Sequence, residues 1–233
     1  MTYRHQRDAE ETENQALELV LDNIDHVRNQ FDPTAIFNTD QSGFNYIVHS
    51  NRTLSQVGER FTVAAAQSMN KLTHSYTIQP ILTMNGNLVE KLFIILQERN
   101  DALSPRQQQT IPSNCKNLHI TCSLSGKITN QLFKVWRDED LAPVVNNPHD
   151  KKCALYVDSL STQKEAAKYH EGGLDVTLKV FPKGSTSLVQ PLDIYCFRQW
   201  KDFAKRITQQ CAFHGFRVDQ RADAHWDENG KKS

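Results

Sequence analysis

The sequence predicts an α/β fold in which a mixed β-sheet is flanked by helices, with one further helix at the N-terminus. Three observations lead there. Amphipathic helical stripes alternate along the chain with short apolar runs of strand length. One of those runs, Cys153-Ala154-Leu155-Tyr156-Val157, is apolar throughout, as a strand covered on both faces is. Asn85-Gly86 sits between two strand-like stretches, a hairpin signal that adds antiparallel pairing to the sheet.

The first helix is predicted over 12–31. Leu17, Val20, Leu21, Ile24, Val27 and Phe31 recur there at three- and four-residue steps, and Asp32-Pro33 stops it. Ala35-Ile36-Phe37-Asn38-Thr39-Asp40 reads as a short strand ending in an acid, and Ser42-Gly43 as the turn after it. The stretches from Tyr76 to Met84 and from Leu88 to Leu96 form the arms of the hairpin, with positive φ expected at both Asn85 and Gly86. A helix is predicted from Lys127 to Arg137. The Cys153 run closes on Asp158. Thr162 and Glu165 are spaced as a capping box for a helix that Gly172-Gly173 ends. Val176 to Phe181 is the next strand. A loop over 182–187 leads to a last helix opened by Pro191, whose apolar face holds Ile194, Phe197, Trp200, Ala204 and Ile207. The residues after Phe216 are polar and read as a loose tail. The expected division is an acidic leader helix over 1–32, one α/β domain over 33–212 and a polar tail over 213–233.

At 233 residues the chain has the length of one domain. A hydrophobic content of 38% supports a core and excludes wholesale disorder or a collagen-like repeat. No apolar run reaches the roughly 18 residues needed to cross a bilayer. Met1-Thr2-Tyr3-Arg4-His5-Gln6-Arg7 is too polar for a signal-peptide core, so no membrane partner is expected. Cys115, Cys122, Cys153, Cys196 and Cys211 are odd in number and contain no CxxC pair. They speak against a disulfide framework or zinc ribbon and for the cytosol or nucleus. Basic and acidic residues balance at 27 each, so net charge exerts no pull on nucleic acid. The balance is uneven, however. Residues 1–33 hold eight acids against three bases, and residues 179–210 hold six bases against two acids.

Three aspartates stand where an α/β fold gathers ligands. Asp40 and Asp158 close their strands, and ligands of open α/β sheets sit at the carboxyl ends of strands. Asp193 falls in the first turn of a helix, where the dipole favours negative charge. Carboxylates crowded together repel unless a cation neutralises them. Short, hard oxygen ligands suit Mg²⁺ or Mn²⁺. Two such ions about 3.5–4 Å apart can bind both the attacking and the leaving oxygen of a phosphodiester. An acid at a strand end also serves as a cap or a turn residue, and position alone leaves that reading open.

Longer stretches of text narrow the choice. Ile36-Phe37-Asn38-Thr39-Asp40-Gln41-Ser42-Gly43-Phe44, Ala154-Leu155-Tyr156-Val157-Asp158 and the run from Phe181 through Gln190-Pro191-Leu192-Asp193 occur in that order, with 34 residues between Asp158 and Asp193. Together they resemble the three motifs of the DDE superfamily endonuclease domain of pogo-, Tigger- and jerky-type transposases, in the wider mariner group. Arg52-Thr53-Leu54, Gly58-Glu59, the Lys91 to Leu96 run and Ser125-Gly126-Lys127-Ile128 continue the resemblance, which covers about 33–210. It implies an RNase H-like fold and metal-dependent DNA strand cleavage and transfer. Asp40, Asp158 and Asp193 would then be catalytic and would hold two Mg²⁺ or Mn²⁺ ions. It also implies DNA as partner, a homodimer and a nuclear location.

The resemblance has gaps. Gln41 stands where the family often has Glu, and Ser159-Leu160-Ser161-Thr162 follows Asp158 where Asn and then His are common. Relatives carry helix-turn-helix modules upstream, and only about 33 residues precede the first motif here. The expectation is a catalytic domain without its recognition module and with weak intrinsic grip on DNA. The alternative is a catalytically inactive, host-adopted protein that binds DNA or protein partners. Candidate DNA contacts are Lys183, Ser185 and Thr186 in the loop and Arg198, Lys201 and Lys205 on the last helix, where a solvated surface is the plainer reading. The nine histidines show no ligand spacing, and Trp136 and Trp200 read as packing residues.

Overall fold

Mixed α/β architecture is what the chain adopts: two four-stranded sheets flanked by helices. The computed structural model describes residues 14, 17–18, 20–45, 75–98, 100–111, 114–145, 152–158, 165–182 and 186–213. The strands are β1 (Ile36–Thr39), β2 (Ser42–Asn45), β3 (Ser75–Gln79), β4 (Ile81–Thr83), β5 (Leu92–Gln97), β6 (Leu118–Ser123), β7 (Lys152–Val157) and β8 (Asp175–Val180). One sheet has the order β4-β1-β7-β8 and the other β2-β3-β5-β6, each with parallel and antiparallel pairs.

The two sheets are segments of one ladder. β1 pairs with β4 so that Thr39 faces Ile81, and β2 pairs with β3 so that Ser42 faces Ile78. Both pairings keep one offset, which sets Asp40 across from Pro80 and Gln41 across from Gln79. Pro80 has no N–H to give a ladder, so pairing lapses at that rung. Its carbonyl accepts from Thr39 Oγ1 at 2.8 Å. The stretch from Tyr76 to Met84, expected as one strand, is therefore two strands in different sheets. Ser42-Gly43, expected as a turn, already belongs to β2, because Ser42 and Phe44 alternate inward with exposed Gly43 and Asn45. The bend falls at Asp40-Gln41.

The Asn85-Gly86 turn forms, with Gly86 N–H donating to Thr83 O at 3.0 Å and Gly86 at φ 86°. Asn85 does not share that conformation, since Asp101 is the one described non-glycine residue with positive φ. Side-chain bonds from Thr83 to Asn85 and to the Asn87 carbonyl hold the turn instead. The return arm pairs with β4 through a single bridge, Leu88 across from Leu82, flanked by bonds from Thr83 N–H to the Asn87 carbonyl and from Val89 N–H to the Ile81 carbonyl, and β5 then pairs with β3. That crossing follows from the break at Pro80.

Helix α1 takes in the described residues 14, 17, 18 and 20–28. Val20 and Val27 pack under Ile36, Ala154, Tyr156 and Phe181, with Ile24 and Phe31 beside them. Leu17 and Leu21 of the predicted stripe are exposed. Two elements went unforeseen. Helix α2 (Pro105–Thr110) starts with a Ser104–Gln107 capping box, and β6 extends the second sheet. Helix α3 (Asn130–Trp136), capped by Thr129, continues through a wide π-type turn (Arg137–Leu141) into α4 (Ala142–Val145), beyond the predicted end at Arg137. Helix α5 (Ala166–His170) begins after Glu165, which makes no side-chain cap, and Thr162 lies outside the described residues. Gly173, at φ 74°, ends it as expected. Helix α6 (Thr186–Val189) takes up the end of the predicted loop. A second π-type turn (Leu192–Phe197) leads into α7 (Arg198–Phe213). Phe197, Trp200 and Ala204 pack on Phe44, Ile78 and Leu192, whereas Ile194 and Ile207 face solvent. The polar tail beyond 213 lies outside the described residues.

The main core lies on the other side of the sheet, where Phe133, Trp136, Leu141 and Tyr169 cover Phe37, Phe93, Leu155 and Val157. Trp136 is fully buried, as its packing role requires. Cys115, Cys122, Cys153 and Cys196 are free thiols. Among the described residues no helix is long and apolar enough to cross a membrane.

Candidate active site

Strand register brings the first two acids together. β1 and β7 run parallel, with Ile36 against Ala154 and Asn38 against Tyr156. Two residues further along, the same offset sets Asp40 across from Asp158. Adjacent strands lie about 4.8 Å apart, so the two carboxyl groups leave the sheet as neighbours. Alternation gives them the face of Ile36, Asn38, Ala154 and Tyr156, the side covered by α1. The third acid comes from the helical side. Asp193 stands in the first turn after Pro191, within the π-type segment that packs Leu192 and Phe197 against Phe44 and Ile78.

The electrostatics tie the three together. Asp40 is buried, 5% exposed. Burial pushes its carboxyl up to about 7, with the Asp193 and Asp158 carboxylates adding to the rise and the Gln41 backbone N–H opposing it. Burial also raises the Asp193 carboxyl; the Asp158 charge adds to that, and Lys201 pulls the other way. Each pair of acids is therefore close enough to feel the other's charge. Among the described residues, however, no three metal-ligating side chains stand close enough to cage one ion. Like charges hold such groups apart until a cation bridges them. The donor set itself fits a hard divalent ion: carboxylate oxygens only, mutually repelling, in a site where one member is forced towards its neutral form.

Sequence reasoning missed Gln190 as a functional side chain. It is fully buried and bears on Asp40, opposing the rise in that carboxyl's pKa, yet neither of its polar atoms makes a hydrogen bond of good geometry. Gln41 Nε2 is also buried without a partner. Such groups cost about 1–3 kcal/mol each when left unmet. Their place beside Asp40 is the signal that could have singled out Gln190, whose position in the Gln190-Pro191-Leu192-Asp193 run was legible. An apolar groove of about 480 Å³ adjoins the acids, lined by Ile24, Val27, Tyr156, Phe181 and Tyr195. Its walls offer little chemistry, and the acids lie beside it.

Of the candidate DNA contacts, Arg198, Lys201 and Lys205 are exposed on α7. Lys201 Nζ lies 5.7 Å from the centre of the Phe44 ring, on the Asp193 side of the helix. Lys183 and Ser185 lie outside the described residues, as does the Thr186 side chain.

The DDE superfamily endonuclease model matches residues 85–224, more than half of the chain. The chain belongs to that family. The match takes in Asp158 and Asp193, and Asp40 lies before it. Solved structures extend the likeness in fold across the first motif. The Mos1 transposase paired-end complex with left transposon end aligns with a TM-score of 0.51 and 8% identity, over 94% of this chain and 56% of that one. The Mos1 mariner paired-end complex with Mn aligns with a TM-score of 0.51 and 9% identity, over the same shares. At such identity the likeness is one of fold, and this DDE domain has the RNase H-like architecture of the Mos1 catalytic domain. The chain spans just over half the length of those transposase chains. No curated protein sequence matches it.

Proposed function

We propose that this DDE domain is a transposase-type endonuclease that cuts DNA phosphodiester bonds and transfers the freed strand, in the nucleus, with two Mg²⁺ or Mn²⁺ ions held by Asp40, Asp158 and Asp193. The reading rests on one observation above the others: strand register sets Asp40 beside Asp158, and Asp193 reaches the same charge cluster from a helix start. Family membership supplies the chemistry, and a similar structure is a complex with Mn. When bound, the ions supply positive charge at the reacting phosphate and an acidified water. The residues do the rest. Asp40 and Asp158 offer oxygens from a rigid sheet, which fixes their separation. Asp193 adds a third set from the helix. Burial of Asp40 excludes water from one side. Arg198, Lys201 and Lys205 of α7, with Lys183, Ser185 and Thr186 of the preceding segment, would take the DNA backbone beside the cut. The catalytic unit proposed is 33–212, with α1 packed against it as part of the fold and a dimer as the working form.

A second reading draws on the lack of a ready three-donor cage among the described residues. In that reading the chain binds DNA or a protein partner and does not cut. Nicking of supercoiled plasmid in Mg²⁺ or Mn²⁺ separates the two. The proposal expects nicking by the wild type and none by Asp158→Ala; equal signal from both points to a contaminant and sinks it.

A further inference from the structure

On the sheet face opposite Asp40, a second charged site is built around His119. β6 carries His119 across from Phe93 of β5, and the ring sits edge-on against Phe93 with centroids 4.8 Å apart. Its Nδ1 lies 2.6 Å from Oδ2 of Asp140, a carboxylate only 2% exposed and presented by the π-type turn that follows α3. The other oxygen of Asp140 has no hydrogen-bond partner. Asp140 thus orients the imidazole, and Phe93 fixes its plane. The ring edge that remains, Nε2, opens into a polar pocket of about 390 Å³ lined by Lys91, Lys116, Glu139, Ile111 and Ile120. Glu139 Oε2 stands 3.8 Å from Nε2. That carboxylate is 62% exposed, so the ion pair holds it only weakly.

We infer that this pocket is a phosphate-binding site, in which the phosphate group replaces the Glu139 carboxylate at His119 Nε2 and is held by Lys91 and Lys116. The chemistry supports an anion as occupant. Nδ1 is taken by the Asp140 carboxylate at 2.6 Å, which leaves Nε2 as the ring nitrogen turned to the pocket. Two lysines on separate chain segments, Lys91 and Lys116, line the same space. An acidic side chain already occupies the anion's place, and it is free to swing out. A phosphate brings more charge and more acceptor oxygens than the carboxylate it displaces. The row from His119 through Phe93 and Gln79 to Gln41 spans three strand spacings, roughly 14 Å, so the pocket is separate from the acid cluster. Its phosphate comes from a nucleic-acid backbone or from a free phosphate, and the experiment has an arm for each.

In the first arm, binding of a labelled 20-bp duplex to the full chain is measured as a function of KCl. The double variant Lys91→Ala/Lys116→Ala should flatten the slope of log Kd against log salt by about 1–2, and Glu139→Ala should tighten binding a few-fold. In the second arm, the His119 ring resonances are followed by NMR while inorganic phosphate replaces chloride at constant ionic strength. They should move in the wild type and move at lower phosphate in Glu139→Ala. Movement with phosphate and an unaltered DNA slope assigns the pocket to free phosphate. Unaltered slopes together with resonances that ignore phosphate overturn the proposal. All three substituted side chains are exposed, so the fold should survive. The nicking assay with Asp158→Ala is independent of both arms, so failure of the endonuclease reading is seen separately.

Discussion

Among the described residues two aspartates are buried, and their neighbours are opposite in kind. Asp40 is 5% exposed and Asp140 is 2% exposed. Burial raises both carboxyls and is the largest cause at each. At Asp40 the next charges are two more carboxylates, which push the same way. At Asp140 they are chiefly His119 and Lys91, which push back against burial and the smaller effect of Glu139. Asp140 is a carboxylate whose cation is built into the chain. Asp40 is one whose neighbours deepen the deficit, an arrangement that an external cation would correct. A buried acid is thus not informative alone; the sign of its neighbours separates a structural pair from a candidate metal ligand.

The largest effect is expected at the acid cluster. Asp158→Ala should lower metal-dependent DNA nicking by on the order of 10³-fold or more, as loss of one member of a catalytic unit does. Circular dichroism should meanwhile report an intact fold. Residual nicking within a few-fold of wild type would remove Asp158 from the catalytic set.

The next effect is a pH dependence of stability. Asp40 keeps its proton in the fold up to about pH 7, whereas the unfolded chain releases it near the ordinary value of 3.8. In EDTA, its contribution to stability is therefore whole below about pH 4 and is lost as pH rises through about 7. Asp40→Asn removes that loss. At about pH 8 the variant should be more stable than wild type by roughly 2–4 kcal/mol, and the two should converge near pH 4. A wild-type stability that stays level across this range would break the contrast.

Asp140 should respond in the other direction when its partner is taken away. His119→Ala leaves a carboxylate at 2% exposure with Lys91 as its remaining cationic neighbour. The cost should be about 2–3 kcal/mol by urea denaturation. A loss below about 0.5 kcal/mol would mean that water already satisfies Asp140.

The smallest effect is a control far from the acid cluster. A Cβ at Gly172 would lie 2.5 Å from Arg137 Nε, whose guanidinium is held by Asp138 and the Lys168 carbonyl and would have to give ground. Gly172→Ala should cost about 1 kcal/mol and leave nicking unaltered.

Much of this arrangement was legible in the sequence, and the exceptions have physical reasons. The apolar run of β7 and the acids closing β1 and β7 needed only periodicity and position. Their pairing needed register, which a local pattern does not contain. Pro80 was readable as a strand breaker, but its consequence was not: it moves β4 into a different sheet from β3 while preserving the offset. His119 and Asp140 are 21 residues apart and meet only because β6 and the turn after α3 stack on one face. No spacing rule finds such a pair. β6 alternates Leu118, Ile120 and Cys122 with polar residues and could have been read as a strand. Gln190 was visible as motif text, and its burial against Asp40 gives that letter a physical role.

The central claim is that Asp40, Asp158 and Asp193 form one divalent-cation site. Titration of the full chain with Mn²⁺, followed by loss of the free-ion EPR signal, tests it without requiring DNA or turnover. The wild type should bind up to two ions near pH 8, with sharply weakened binding in Asp40→Asn, Asp158→Ala and Asp193→Ala alike. Equal Mn²⁺ uptake by the wild type and all three variants would contradict it.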